Sequence, residues 1–299
     1  VLRILDRDKG IVPLDALGLA PDQRAALDRI LARPEGLILV VGPTGSGKTT
    51  TLYSMLGHLN TEAVNIMTLE DPVEYPLALI RQTQVGEASR LDFADGVRAL
   101  LRQDPDVILI GEIRDADTAT MALRAALTGH QVFATLHANS IFGALPRLHE
   151  IGIGAELLAG NLCGILAQRL VRRLCPACRE PVPDDAPEGR LPGLAADAPP
   201  LPSWRAHGCP ECDFRGYRGR LAIMEILPFD AALDELVARR ASPGELRAAA
   251  RARGHRSLAE DGLRRVLDGS TSLAELARVV DLSTLLPAAG TDIMQGSEA

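Results

Sequence analysis

One segment constrains this chain more than any other: Gly36-Leu37-Ile38-Leu39-Val40-Val41-Gly42-Pro43-Thr44-Gly45-Ser46-Gly47-Lys48-Thr49. The apolar run bounded by glycines reads as a buried strand, and the residues from Lys48 onward read as a helix. Between them lies G-x-x-x-x-G-K-[ST] in full, in the strand–loop–helix setting that the motif requires. Glycines let successive backbone N–H groups turn inward and form an anion nest at a helix N-terminus. Lys48 then reaches the β- and γ-phosphates of a nucleotide, and the Thr49 hydroxyl holds Mg2+. The expected ATP-binding stretch is Gly42, Pro43, Thr44, Gly45, Ser46, Gly47, Lys48, Thr49 and Thr50. The competing reading is a Gly-rich turn with no ligand.

Further strand-like runs follow at 64–69, 107–110 and 131–136, alternating with helix patterns, and 21–33 reads as a helix with Pro21 in its first turn. Apolar strands alternating with helices indicate a doubly wound α/β domain over roughly 20–170. In such sheets the ligand crevice lies at the strand ends, so carboxylates there are candidates for chemistry. The 107–110 run leads into Gly111-Glu112, which resembles a Walker B strand with Gly111 where an Asp often sits. Glu112 is a candidate for the Mg2+ shell or for orienting water. The run ending at Leu69 leads into Glu70-Asp71-Pro72-Val73-Glu74, whose alternative reading is a solvated acidic turn. His137 follows a third strand, where a neutral imidazole can bond a γ-phosphate. A lone histidine is more often a buried structural residue.

The cysteines divide four plus one. Cys175 and Cys178 form one C-x-x-C, Cys209 and Cys212 a second, and Cys163 stands alone as a small buried residue. With no export signal in the sequence, paired knuckles read as a closed Zn2+ site rather than as disulfides. The stretch 179–208 is Pro-rich and aperiodic, an irregular loop that the metal would tie down. From 230 onward the chain turns helical. Capping boxes are expected at Ser242/Glu245, Ser257/Glu260 and Ser272/Glu275, with stops at Gly254 and Gly269.

The expected segmentation is therefore 1–18 as the end of a truncated upstream domain and linker, 19–172 as the nucleotide domain and 173–222 as the tetracysteine module. A C-terminal helical domain at 223–286 and a flexible tail at 287–299 complete it. Composition narrows the function classes. The 299 residues carry a net charge of −7 and only 3% aromatics, which opposes a nucleic-acid-tracking surface or stacking platform. No run approaches the ~20 apolar residues that span a bilayer. Arginines flanking the knuckles, Arg169, Arg172 and Arg173 before and Arg215, Arg218 and Arg220 after, allow either a basic patch or a solvated face.

Taken in order, the motifs resemble those of the secretion and pilus-assembly ATPases of type II secretion and type IV pilus systems. The matching pieces are Gly42 to Tyr53, Thr68 to Glu74, Leu101-Arg102-Gln103-Asp104-Pro105-Asp106 and Gly111 to Asp115. Thr128-Gly129-His130, Thr135 to Asn139, Gln168-Arg169-Leu170, the tetracysteine module and Gly216-Tyr217-Arg218-Gly219-Arg220 complete the set. The resemblance implies a RecA-like P-loop NTPase sheet and Mg2+-dependent ATP hydrolysis, with ADP as product. It implies a homo-hexamer, cytoplasmic and peripherally associated with the inner membrane. Partners would be an inner-membrane platform protein and cytoplasmic secretion or pilus components. Glu70 and Glu74 then lie in the family's Asp box, Glu112 in its Walker B and His137 in its His box, and Glu70 and Glu112 are both candidates to polarise the water. Arg3 would be a remnant of a surface reaching a neighbour's nucleotide. The four-cysteine insertion favours assembly over retraction.

Overall fold

A computed structural model describes residues 12–86, 91–183, 186–191 and 200–285. Arg3 and the tail from 287 lie outside the described residues. The chain divides into two compact units, Val1–Leu170 with Met224–Arg256 and Val171–Ile223 with Ser257–Ala299.

The first unit is built on parallel strands. Its described elements begin with α1 (Pro21–Leu31), β1 (Gly36–Val41), α2 (Lys48–Leu59), β2 (Ile66–Glu70), β3 (Arg81–Gln84), α3 (Phe93–Leu100) and β4 (Val107–Ile113). They continue with α4 (Ala116–Leu127), β5 (Gln131–Leu136), α5 (Ile141–Glu150), α6 (Ala155–Leu158) and β6 (Leu162–Leu174). After β7 (Glu180–Pro181) and β8 (Trp204–Arg205) come β9 (Tyr217–Pro228), α7 (Ala231–Ala238) and α8 (Pro243–Arg251). The sheet order is β3-β2-β4-β5-β1-β6-β9. The pairings β1·β5, β1·β6, β2·β3, β2·β4 and β4·β5 are all parallel.

Strands covered on both faces need apolar side chains throughout, and β1, β2 and β5 are buried at every position. This is why they are visible as apolar runs. The edge strand β3 reads Arg-Gln-Thr-Gln and carries no such signal. Two elements differ in extent from the sequence reading: β4 continues through Glu112 to Ile113, and Gln168-Arg169-Leu170, read only as a motif, lies in the long strand β6.

The second unit gathers Val171, Leu191, Ile223, Ala259, Val266, Leu273, Leu276 and Leu282 into its own core, with α9 (Leu258–Leu267) and α10 (Leu273–Val279). The units cut across the expected segmentation. Helices α7 and α8 belong with the nucleotide unit and bury Leu233, Val237, Leu246 and Ala250 in its core, so 223–286 is not one helical body. The Pro-rich loop is also less irregular than expected. Its two ends pair as antiparallel β7 and β8, with Val182 N–H donating to the Ser203 carbonyl.

Ser242/Glu245 and Ser257/Glu260 form full capping boxes. At α10 only half of the third forms. Ser272 accepts from the Glu275 N–H at 3.1 Å, but the Glu275 carboxylate turns to Arg172 and Arg278 instead. Charge-assisted donors win over one neutral amide.

Candidate nucleotide site and cysteine cluster

The loop between β1 and α2 is shaped by glycine. Gly45 and Gly47 take φ of 79° and 89°, and a Cβ on Gly47 would lie 2.8 Å from Gln168 Nε2. Gln168 reaches in from β6: its Nε2 donates to the Ser46 carbonyl at 2.6 Å, and its Oε1 accepts from the Thr51 hydroxyl at 2.8 Å. No side chain caps α2, whose N-cap is Gly47. The Ser46 hydroxyl is buried with no hydrogen-bond partner. An uncapped helix start, positive-φ glycines and an orphaned hydroxyl fit an anionic group seated in the loop.

Lys48 lies over the same loop, donating to the Gly42 carbonyl at 2.9 Å and the Pro43 carbonyl at 3.1 Å. Burial lowers its ammonium below the ordinary lysine value; the Glu112 charge opposes this and the Arg169 charge adds to it. Arg169 is half-buried, held by the Gln168 and Asn139 carbonyls at 3.0 and 2.8 Å, and burial lowers its pKa as well. Arg172, in the second unit, is bound to Glu275.

Glu112 stands where β4 loses register with β5, between Ile110 and Ile113. Gly111 makes this possible. A Cβ there would lie 3.1 Å from the Leu69 carbonyl oxygen, while its own carbonyl accepts from the Thr135 hydroxyl at 2.6 Å. That close approach explains glycine where an Asp often sits. The Glu112 carboxylate is paired with Arg114 and lies 3.5 Å from His137 Nε2. Arg114 is raised above its ordinary value chiefly by that hydrogen bond.

Glu70 has a different setting. At the tip of β2 and 4% exposed, its carboxylate accepts from the Tyr53 hydroxyl, from Thr68 Oγ1 at 2.6 Å and from Gln82 Nε2 at 3.0 Å. All three donors are neutral. Burial, then the bond to Glu70, pushes the Tyr53 phenol well above its usual range. Glu74 is half-buried in the following turn, its amide directed at the Tyr53 hydroxyl. Thr49 and Thr50 are half-buried in the first turn of α2. The structure thus gathers Lys48, Glu112 and His137 with Arg114 and Arg169, and sets Glu70 in a separate polar nest. Gln168, Arg169, Arg114 and Gln82 were not singled out by sequence as site residues. The first three stand within the quoted motifs, which was the available signal.

In the second unit the thiols of Cys175, Cys178, Cys209 and Cys212 all lie within 4.8 Å of one another. The Sγ–Sγ distances 175–209, 178–212 and 209–212 are 3.9, 3.8 and 3.9 Å. A tetrahedron of Zn–S bonds of about 2.3 Å has edges of about 3.8 Å. The Gly208 N–H donates to Cys178 Sγ, and those of Cys209 and Gly216 donate to Cys212 Sγ. Against the burial that raises it, those amides hold the Cys212 thiol down at about 6. These four residues fit a structural metal. Cys163, in the first unit, is buried, donates to the Glu35 carbonyl at 3.1 Å and is pushed up to about 11 by burial.

Comparison with known proteins adds the relatives. The family model described as Type II/IV secretion system protein matches residues 1–278. Type II secretion system protein E of Pseudomonas aeruginosa is 49% identical over 279 residues, 93% of this chain and 55% of that protein. Type II secretion system ATPase E of Vibrio cholerae is 47% identical over 279 residues, with the same two coverages. The chain therefore spans about half the length of the curated relatives it matches. Among solved structures, the pilus retraction motor PilT with bound ADP matches with a TM-score of 0.70 and 29% identity, over 95% of this chain and 71% of that one. The ATPase DotB of Legionella pneumophila matches at 0.65 and 25%, over 90% and 65%.

Proposed function

We propose, from the premise that this chain belongs to the type II/IV secretion system protein family, that it hydrolyses ATP to drive pseudopilus or pilus assembly for type II protein secretion or type IV pili. The observation that carries this reading is the convergence of Lys48, Glu112 and His137 on the uncapped glycine loop at the start of α2. It is supported by the resemblance to a pilus motor with bound ADP.

In this reading the amides of Gly42 to Thr49 cradle the phosphates, and Lys48 exchanges the Gly42 and Pro43 carbonyls for β- and γ-oxygens. Thr49 and Glu112 are hard oxygen donors suited to holding Mg2+, which when bound neutralises charge on the phosphates. His137, beside Glu112, answers to the γ-phosphate. Glu70 is the carboxylate that polarises the attacking water. Its donors are all neutral and leave it without a cationic partner, whereas Glu112 is paired with Arg114. Glu74 supports the same acidic turn. The four thiolates hold Zn2+ in a closed structural site.

The working state is a homo-hexamer on the cytoplasmic side of the inner membrane, joined to a membrane platform protein and not to nucleic acid. Among the described residues no helix is long and apolar enough to cross a membrane. Mg2+-dependent ATP hydrolysis, measured against protein concentration, tests this reading. Specific activity should rise as rings assemble. Nucleotide binding without turnover at every concentration would refute a motor.

A further inference from the structure

We propose that Gln82 is a positioning residue for hydrolysis, fixing the Glu70 carboxylate through the edge strand; this rests on the assignment of Glu70 as the water-polarising group. The strand register supplies the geometry. Thr68 of β2 is paired with Gln82 of β3, and Glu70 lies two residues beyond Thr68, so the three side chains share one face of the sheet. From there Gln82 Nε2 donates to Glu70 Oε1 at 3.0 Å, and also meets the Tyr75 carbonyl at 3.0 Å and the Tyr53 hydroxyl at 3.3 Å.

The other end of the amide sets this orientation. Gln82 Oε1 accepts from the Leu77 N–H at 2.7 Å, and a backbone N–H can only meet the oxygen of an amide. The Leu77 bond therefore decides which way the amide faces and aims its N–H groups at Glu70. Thr68 and Tyr53 supply the other two donors, so both carboxylate oxygens are held and the carboxylate has one orientation.

A glutamine that merely braced the 75–77 turn would need its oxygen for Leu77 and an N–H for Tyr75, but not the N–H that reaches Glu70. This separates the two roles experimentally, because Gln82→Glu keeps an acceptor for Leu77 and turns the donor edge into a second carboxylate facing Glu70. Gln82→Met keeps the volume and loses both functions. The assay is steady-state ATP hydrolysis by the assembled protein, with fluorescent ADP affinity and thermal midpoint measured on the same samples. A hydrogen bond to a charged group corresponds to roughly tenfold or more in rate.

Gln82→Met should lower kcat about tenfold. Gln82→Glu should lower it further, on the order of a hundredfold. KM for ATP, ADP affinity and thermal midpoint should stay near wild type. Gln82→Glu with wild-type kcat would overturn the inference. So would losses of rate that merely follow losses of thermal midpoint or ADP affinity. Glu70→Gln separates the two levels. Full turnover in that variant refutes the assignment of Glu70 itself, whereas an inactive Glu70→Gln beside an active Gln82→Glu removes only the role of Gln82.

Discussion

Replacing Glu275 with glutamine should destabilise the second unit by about 3 kcal/mol at neutral pH. The Glu275 side chain has no solvent exposure, and five N–H groups converge on its carboxylate. Three come from Arg172 (N, Nε and Nη2, at 3.0, 2.9 and 2.7 Å), and two from Arg278 (Nε and Nη2, at 3.1 and 2.7 Å). Arg172 is itself braced, its guanidinium 4.1 Å from the centre of the Tyr217 ring, and the Tyr217 hydroxyl bonds Ser272 at 2.7 Å. Burial raises the Glu275 pKa, but the Arg278 and Arg172 bonds overcome it and bring it from 4.5 to about 2.

Folding therefore favours the ionised form. The stabilisation is fully present above the unfolded value and is lost as pH falls towards the folded one. At about 1.4 kcal/mol per pH unit, the shift corresponds to roughly 3 kcal/mol, of which about half remains at pH 3. Trp204 is the chain's single tryptophan, lies in the same unit and packs under Arg179 at 4.6 Å, so its fluorescence reports this unit's unfolding. Urea titrations of wild type and Glu275→Gln should differ by about 3 kcal/mol at pH 7 and converge as pH is lowered. A difference below about 1 kcal/mol at pH 7, or one independent of pH, would refute the reasoning.

The remaining predictions concern the two sites. Lys48→Ala should reduce ATP turnover by at least about a thousandfold, since the loop loses its one cationic side chain; a coupled phosphate-release assay checks this. Glu112→Gln should abolish hydrolysis while ADP and ATP affinities fall by less than about tenfold, as read by isothermal titration, because the loop amides and Lys48 remain. Cys175→Ser should lower bound zinc, measured by atomic emission after dialysis, and lower the thermal midpoint of the second unit, since three thiolates leave a metal site open.

What could be read from the sequence follows from the range of each interaction. The glycine loop is eight consecutive residues whose backbone turns depend on their own glycines, so its strand–loop–helix setting was legible from the motif and the flanking apolar strand. The cysteine cluster was legible for a similar reason, because each knuckle is local and only their pairing is distant. The buried strands β1, β2 and β5 announce themselves because both faces are covered, while β3 does not because it borders the sheet.

The site's supports are where reading stopped. Gln168 meets Thr51 across 117 positions, and Arg172 meets Glu275 across 103. No local rule selects such partners. Glu275 makes the point sharply. In sequence it satisfies the capping-box spacing, and a neutral cap contributes about 1 kcal/mol. In the fold two guanidinium groups reach the same carboxylate and offer several times that, so the longer-range pairing prevails and the local signal survives only in the Ser272 half of the motif. Long-range pairing of the same kind gives polar residues that looked ordinary their partners: Gln82 holds the Glu70 carboxylate, and Gln168 holds the Ser46 carbonyl of the glycine loop.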